Sequence, residues 1–153
     1  SFNTGEKKVR VLLINGSPHE KGCTYTALME VADTLEKEDV NAFFFFLFGN
    51  KPLPGCIACK FCAEKKKCVF NNSVNDFLDR AKDALGYFWF TGAYAAAGGA
   101  IMSFMDRAFY ADLLADRQSF YLKPAAAVVS ARRAGTTAWR VYNKLDRKIR
   151  SKG

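Results

Sequence analysis

Histidine is almost absent. His19 is the single one in 153 residues, and no serine or cysteine nucleophile pairs with it by motif. That leaves no nucleophile–base pair on which to build covalent catalysis. The loop around it lacks the Gly-Lys-Ser/Thr ending of an ATP-type phosphate loop, because Lys21 is followed by Gly22 and Cys23. The G-x-G-x-x-G dinucleotide fingerprint is missing too, and the second predicted strand ends Leu47-Phe48-Gly49 with no carboxylate for a ribose. No apolar run is long enough to cross a bilayer, and the polar start Ser1–Lys8 does not read as a signal peptide. A cytoplasmic protein with no membrane partner is therefore expected. There is no internal repeat, no low-complexity segment and no RNA- or DNA-binding motif, so nucleic acid is not an expected partner.

What is present centres on Val9 to Thr26. Val9, Val11, Leu12, Leu13 and Ile14 form a near-continuous apolar run, the pattern of a parallel strand covered on both faces. Gly16-Ser17-Pro18 ends it, and Thr24 to Glu38 then carries Leu28, Val31, Ala32 and Leu35 at helical spacing. Such a turn aims backbone N–H groups and a helix dipole at an anion in the loop. Ser17, Thr24 and Thr26 add hydroxyls that can donate to a terminal phosphate without adding charge, which suits a mononucleotide such as FMN. The plainer alternative is that these Ser and Thr residues only cap the helix.

Length and composition (50% apolar, 14% aromatic) indicate one globular domain over residues 1–153, with a cysteine-rich insertion at 55–70. The formal charge of +8 gathers in Lys65-Lys66-Lys67, Arg132-Arg133 and the tail from Arg140 to Lys152, where solvated surface charge explains most of it. Asn41 to Phe48 is a second strand with four consecutive phenylalanines, Phe43 to Phe46. Apolar residues on both faces of an edge strand call for a cover such as a partner subunit, or else leave an aggregation risk. Asn72 or Ser73 caps a second helix with Val74, Phe77, Leu78 and Ala81 inward. Gly86 to Phe90 is a third strand running into a small-residue loop, Thr91 to Gly99. A third helix, Ala100 to Asp112, faces Ile101, Phe104, Met105 and Ala108 inward. Ala125 to Ser130 is a fourth strand, Ala131 to Thr137 its exit loop, and a last helix opens at Thr137. This alternation predicts an α/β fold, a doubly wound parallel sheet with ligands at the carboxyl ends of its strands.

Cys56, Cys59, Cys62 and Cys68 form a C-x2-C-x2-C-x5-C arrangement. In a reducing compartment they are metal ligands or thiols rather than disulfides, and the Asn71-Asn72-Ser73 glycosylation pattern is then idle. Three readings stay open: a [4Fe–4S] cluster, a zinc site, or thiols with no metal. Cys23, in the turn, is either a reactive thiol or a small side chain that fits.

INGSPHEKGCTYTAL, PGCIACKFCAEKKKCVF, the Met105-Asp106-Arg107 stretch with its Ala-Phe-Tyr-Ala continuation, and KPAAAVVSARRAGTTA together resemble the NADPH-dependent FMN reductase and iron–sulfur flavoprotein family. The resemblance runs from about Lys8 to Thr137 and implies a flavodoxin-like fold. It implies that Ser17, Pro18, Gly22, Cys23, Thr24 and Thr26 hold the FMN phosphate. Thr91, Gly92, Ala93 and Tyr94 would lie against the isoalloxazine, which Ser130, Arg132, Arg133, Gly135 and Thr136 would approach from another side. In cluster-bearing members the four cysteines hold [4Fe–4S] and exchange electrons with FMN. Three features depart from the family: Cys23 stands where Asn is common, Thr91-Gly92-Ala93-Tyr94 replaces a typical Ser-Pro-Val-Tyr, and one helix pattern follows strand four where a fifth strand is usual. A sheet lacking that strand, with strand four at an open edge, is expected. The implied activity is FMN-dependent electron transfer from NAD(P)H or a small redox partner, in a homo-oligomer, with no catalytic acid or base required of the protein. A flavin-free scaffold or interaction protein is the alternative.

Overall fold

The computed structural model describes residues 9–47, 52–70, 72–93, 99–131, 143 and 147. Its elements in chain order are β1 (Arg10–Asn15), α1 (Cys23–Lys37), β2 (Asn41–Phe46), α2 (Phe61–Lys65), α3 (Ser73–Ala81), β3 (Gly86–Ala93), α4 (Gly99–Leu114) and β4 (Ala125–Ala131). Among the described residues the sheet has four strands, all parallel, in the order β2-β1-β3-β4. This is the α/β parallel-sheet arrangement that the alternating pattern predicts, and it is in keeping with the flavodoxin-like fold that the family resemblance implies. Phe48, Tyr94, the loop beyond Ala131 and the start of the last predicted helix lie outside the described residues.

β1 sits between β2 and β3, which is why its sequence is apolar at successive positions: both faces are covered. Leu12 and Ile14 point to the layer of α3 and α4, whereas Val11 and Leu13 point to α1. The α1 layer is small, with Leu28, Ala32 and Phe90 buried beside Val11 and Leu13. The opposite layer is larger and aromatic, built on Phe45, Phe77, Trp89, Phe104, Phe109 and Phe120. The inward stripes predicted for α3 and α4 hold: Val74, Phe77, Leu78, Ala81, Ile101, Phe104, Met105 and Ala108 are all fully buried. Asn72 is the α3 cap, its side-chain oxygen accepting from Val74 N–H at 3.3 Å.

Two expectations need correction. The third strand does not stop at Phe90. Thr91, Gly92 and Ala93 continue β3 and pair with Val129, Ser130 and Ala131 of β4, so they are strand rather than loop. A neighbouring strand supplies backbone partners that local composition does not reveal. The cysteine segment also contains α2, a single turn that no periodicity announces.

The phenylalanine strand β2 lies at the sheet edge. Phe45 enters the aromatic layer, while Phe43 and Phe46 stay 42% and 37% exposed. The chain itself covers part of this edge: the Arg10 guanidinium lies 5.4 Å from the centre of the Phe43 ring, and Tyr25 stacks on Phe46 at 6.4 Å.

Candidate functional site

The turn between β1 and α1 is built by backbone contacts to both neighbouring strands. Gly16 N–H donates to the Phe90 carbonyl at 2.7 Å, and Leu47 N–H donates to the Asn15 carbonyl at 2.9 Å. A Cβ on Gly16 would lie only 2.9 Å from Ile101 Cβ and Cγ1, so the first turn of α4 closes on the loop only because this residue has no side chain. Gly16→Ala is accordingly expected to cost about 1–3 kcal/mol by overpacking, measured by urea unfolding, and to displace Ile101 from the loop.

Asn15 is fully buried at the end of β1. Its Oδ1 accepts from Ser17 N–H at 2.9 Å, but its Nδ2 has no hydrogen-bond partner among the described residues. A buried donor left unpaired is costly and marks a place where a ligand acceptor would be accommodated.

α1 begins at Cys23 behind Gly22, with no side-chain cap and no acidic residue in its first turn. Its leading N–H groups and positive dipole end therefore face the loop without a built-in counter-charge. Among the described residues the hydroxyls have partners other than the leading N–H groups of α1. Ser17 Oγ accepts from His19 N–H at 3.2 Å, and Thr26 Oγ1 donates back to the Gly22 carbonyl at 3.4 Å. Thr24 Oγ1 and Ser130 Oγ share a hydrogen bond at 2.8 Å, which ties the start of α1 to the end of β4. The candidate residues of the first, third and fourth strands thus meet at one end of the sheet: Ser17 and Thr24 buried, Thr91 buried with its hydroxyl on the Gly92 carbonyl, Gly92 and Ser130 half-buried. Pro18, Cys23 and Thr26 are exposed on its rim. Ala93 belongs to β3, and Tyr94, Arg132, Arg133, Gly135 and Thr136 lie outside the described residues. An uncapped helix start, an orphaned buried amide and a glycine-tight turn together fit the phosphate end of FMN.

The cysteine segment forms a second locus, against α4. Cys56, Cys59, Cys62 and Cys68 border one cavity together with Phe70, Arg107 and Tyr110. Ala58, Lys60 and Lys66 all take positive φ (53°, 58° and 58°), so non-glycine residues in the left-handed region turn the chain between the cysteines. Burial pushes the Cys62 thiol pKa up; a backbone hydrogen bond opposes this, and repulsion from Cys68, Cys56 and Cys59 adds to it. All five cysteines are free thiols. Among the described residues no three His, Cys, Asp or Glu side chains converge as a group able to hold a metal ion. The four thiols border one cavity, and the Arg107 guanidinium donates to the Cys68 sulfur.

Several residues that build these loci escape a reading of the sequence. Asn75 clamps Cys68 from both sides, accepting from its N–H at 2.8 Å and donating to its carbonyl at 3.0 Å. Asn15 and Gly16 act through contacts made only in three dimensions. Arg107 had a signal: it interrupts the inward face of α4, three residues after Phe104, where a charge is anomalous. A larger cavity, about 170 Å³, lies at the amino ends of β1 and β2 between Arg10, Phe43, Arg80 and Asp83. It is at the opposite end of the strands from the loop, whereas open α/β sheets bind ligands at the carboxyl ends.

Comparisons with known proteins bear on the fold and the family. An iron–sulfur flavoprotein of Methanocaldococcus jannaschii is 32% identical over 78 residues, covering 51% of this chain and 40% of that protein. Among solved structures, an NAD(P)H:quinone oxidoreductase from Methanothermobacter marburgensis superposes with a TM-score of 0.58 at 9% identity, covering 94% of this chain and 95% of the other. The apo form of an NADH:FMN oxidoreductase superposes with a TM-score of 0.52 at 15% identity, covering 95% and 91%. Likeness at such identities speaks for the fold alone. The sequence model of the NADPH-dependent FMN reductases matches residues 9–141, nearly the whole chain, which therefore belongs to the NADPH-dependent FMN reductase family.

Proposed function

We propose that this chain binds FMN at the carboxyl ends of β1, β3 and β4 and works as a flavin-dependent oxidoreductase, taking reducing equivalents from NAD(P)H or a small redox partner. The observation that carries this reading is the open start of α1, uncapped and free of acidic residues in its first turn, together with buried Asn15, whose Nδ2 has no partner among the described residues. Backbone N–H groups of Cys23 and Thr24 and the hydroxyl of Ser17 would hold the phosphate, while Pro18, Gly22 and Thr26 shape its rim. The end of β3 (Thr91, Gly92, Ala93) would lie along the flavin ring, with Tyr94, Arg132, Arg133, Gly135 and Thr136 assigned to the ring by the family resemblance. FMN, when bound, supplies the hydride and electron chemistry. The protein orients it and keeps water from one side, so no side chain is needed as acid or base.

The four cysteines support a second element, a [4Fe–4S] cluster held by Cys56, Cys59, Cys62 and Cys68. The observation that favours it is the forked donation of Arg107 to the Cys68 sulfur. A homo-oligomer is proposed on the exposed rings of Phe43 and Phe46 at the sheet edge.

The test is a visible spectrum of protein purified without oxygen, with flavin and iron assayed on the same sample and NADPH oxidation followed. Flavin bands with a broad iron–sulfur shoulder are expected. Flavin alone would leave an FMN reductase with idle thiols. If the protein stays colourless after adding FMN and iron, the oxidoreductase reading fails and a flavin-free scaffold remains.

A further inference from the structure

The cavity of about 170 Å³ at the amino ends of β1 and β2 joins an apolar floor to a charged rim. Leu12 and Ala84 are buried in its lining, whereas Arg10, Phe43 and Arg80 are exposed there. Side chains two apart on a strand share a face. Arg10 therefore looks to the same layer as Leu12, and Phe43 and Phe45, in register with Leu12 and Ile14, look there too. The central carbon of the Arg10 guanidinium lies 5.4 Å from the Phe43 ring centre, and that of Arg80 lies 5.8 Å from the Phe45 ring centre. Those rings are roughly 7 Å apart along β2, so two guanidinium groups, each held over a ring, face one cavity.

The carboxylates at the rim are occupied elsewhere. Asp79 Oδ1 pairs with Arg117 Nη1 at 3.3 Å. Asp83 acts on Lys123, where with Asp112 it favours the charged ammonium against the effect of burial. Among the described residues the Arg10 and Arg80 guanidiniums donate no hydrogen bond and join no ion pair. Two neighbouring cations over a low-dielectric floor concentrate positive potential, which attracts an anion. A guanidinium fork matches a carboxylate in shape, and a cavity of roughly 150 Å³ admits one six-membered ring.

We infer that this cavity is a binding site for a single-ring aromatic carboxylate, with the ring on Leu12 and Ala84 beside Phe43 and the carboxylate between Arg10 and Arg80. It lies at the far end of β1 from the turn at Gly16, roughly 17 Å along the strand. The occupant is therefore a ligand other than the flavin, and its binding requires neither flavin nor metal.

The test titrates benzoate into the full chain by calorimetry and follows backbone amide shifts by NMR. A dissociation constant of about 1 mM or lower is expected, with shifts at Leu12 and Ala84 and none at Ser17 or Thr24. Benzyl alcohol, a neutral probe of the same size, should bind the parent chain at least about tenfold more weakly, and added salt should weaken benzoate. R10Q and R80Q, their folding checked by circular dichroism and denaturant midpoint, should each weaken benzoate by roughly three- to tenfold, and the double variant by more. Failure of benzoate to saturate the chain at several times the expected constant would overturn the site. Equal binding of benzyl alcohol would overturn the role of the arginines with no variant needed. Parental affinity in the folded double variant, or shifts confined to the Ser17 turn, would overturn the location.

Discussion

Phe77→Ala is expected to lower the unfolding free energy by about 3–5 kcal/mol, the largest stability effect we anticipate from a single substitution. Phe77 is fully buried on α3 and is the hub of the aromatic layer. Its ring meets Phe45 edge-on at 5.2 Å and Phe104 at 5.0 Å, tilts against Trp89 at 5.7 Å and stacks with Phe120 at 6.0 Å. Those four rings come from β2, α4, β3 and the segment before β4, so the cavity left by truncation would open at the junction of most of the fold. Neighbours that are themselves rigid rings cannot collapse into it, which puts the cost toward the upper end for a core phenylalanine. Denaturant unfolding would measure it: a drop in midpoint with unchanged slope is expected. A change below about 1 kcal/mol would mean that the layer repacks, and that it is looser than its interlocked geometry implies.

Cys23→Asp is expected to separate the two roles of the α1 start, because its effects carry opposite signs. Cys23 is exposed, so replacing it loses little packing. A carboxylate at the first position of an uncapped helix interacts favourably with the dipole and should stabilise the protein without flavin by about 0.3–1 kcal/mol. The same charge would stand within a few ångströms of a bound phosphate, where like charges repel by up to roughly 4 kcal/mol at an effective dielectric of 20. We therefore expect FMN affinity to fall by about 100-fold, read by quenching of flavin fluorescence, together with a slightly higher melting temperature of the flavin-free protein. Cys23→Ser adds no charge and should bind FMN nearly as the parent does. Equal affinity in the aspartate variant would place the phosphate elsewhere and remove the main support for the proposed site.

The contrast between these residues explains how much was legible beforehand. Phe77 could be read from its spacing with Val74, Leu78 and Ala81, because one-sided burial of a helix imprints a period on the chain. The same holds for the buried run of β1 and the inward stripe of α4. Cys23 could be placed at a helix start, because Gly16, Ser17 and Pro18 end the strand and helical spacing resumes after them. That this start is uncapped could not be read. It depends on Ser17 turning to His19 and Thr24 reaching Ser130, a residue more than a hundred positions away that only the parallel pairing of β3 with β4 brings near.

The sequence by itself determined the alternation of strands and helices, the two inward layers, the glycine- and hydroxyl-rich turn and the four-cysteine spacing, since each is written in local composition or period. The tertiary structure alone decided that Thr91, Gly92 and Ala93 are strand, because their partners Val129, Ser130 and Ala131 come from another element. It alone left Asn15 Nδ2 without a partner among the described residues, closed Ile101 on Gly16 and set Arg107 against the Cys68 sulfur. Hydrogen bonds and close packing between residues distant along the chain leave no period to read. They come into being when the sheet assembles and its helices close over it.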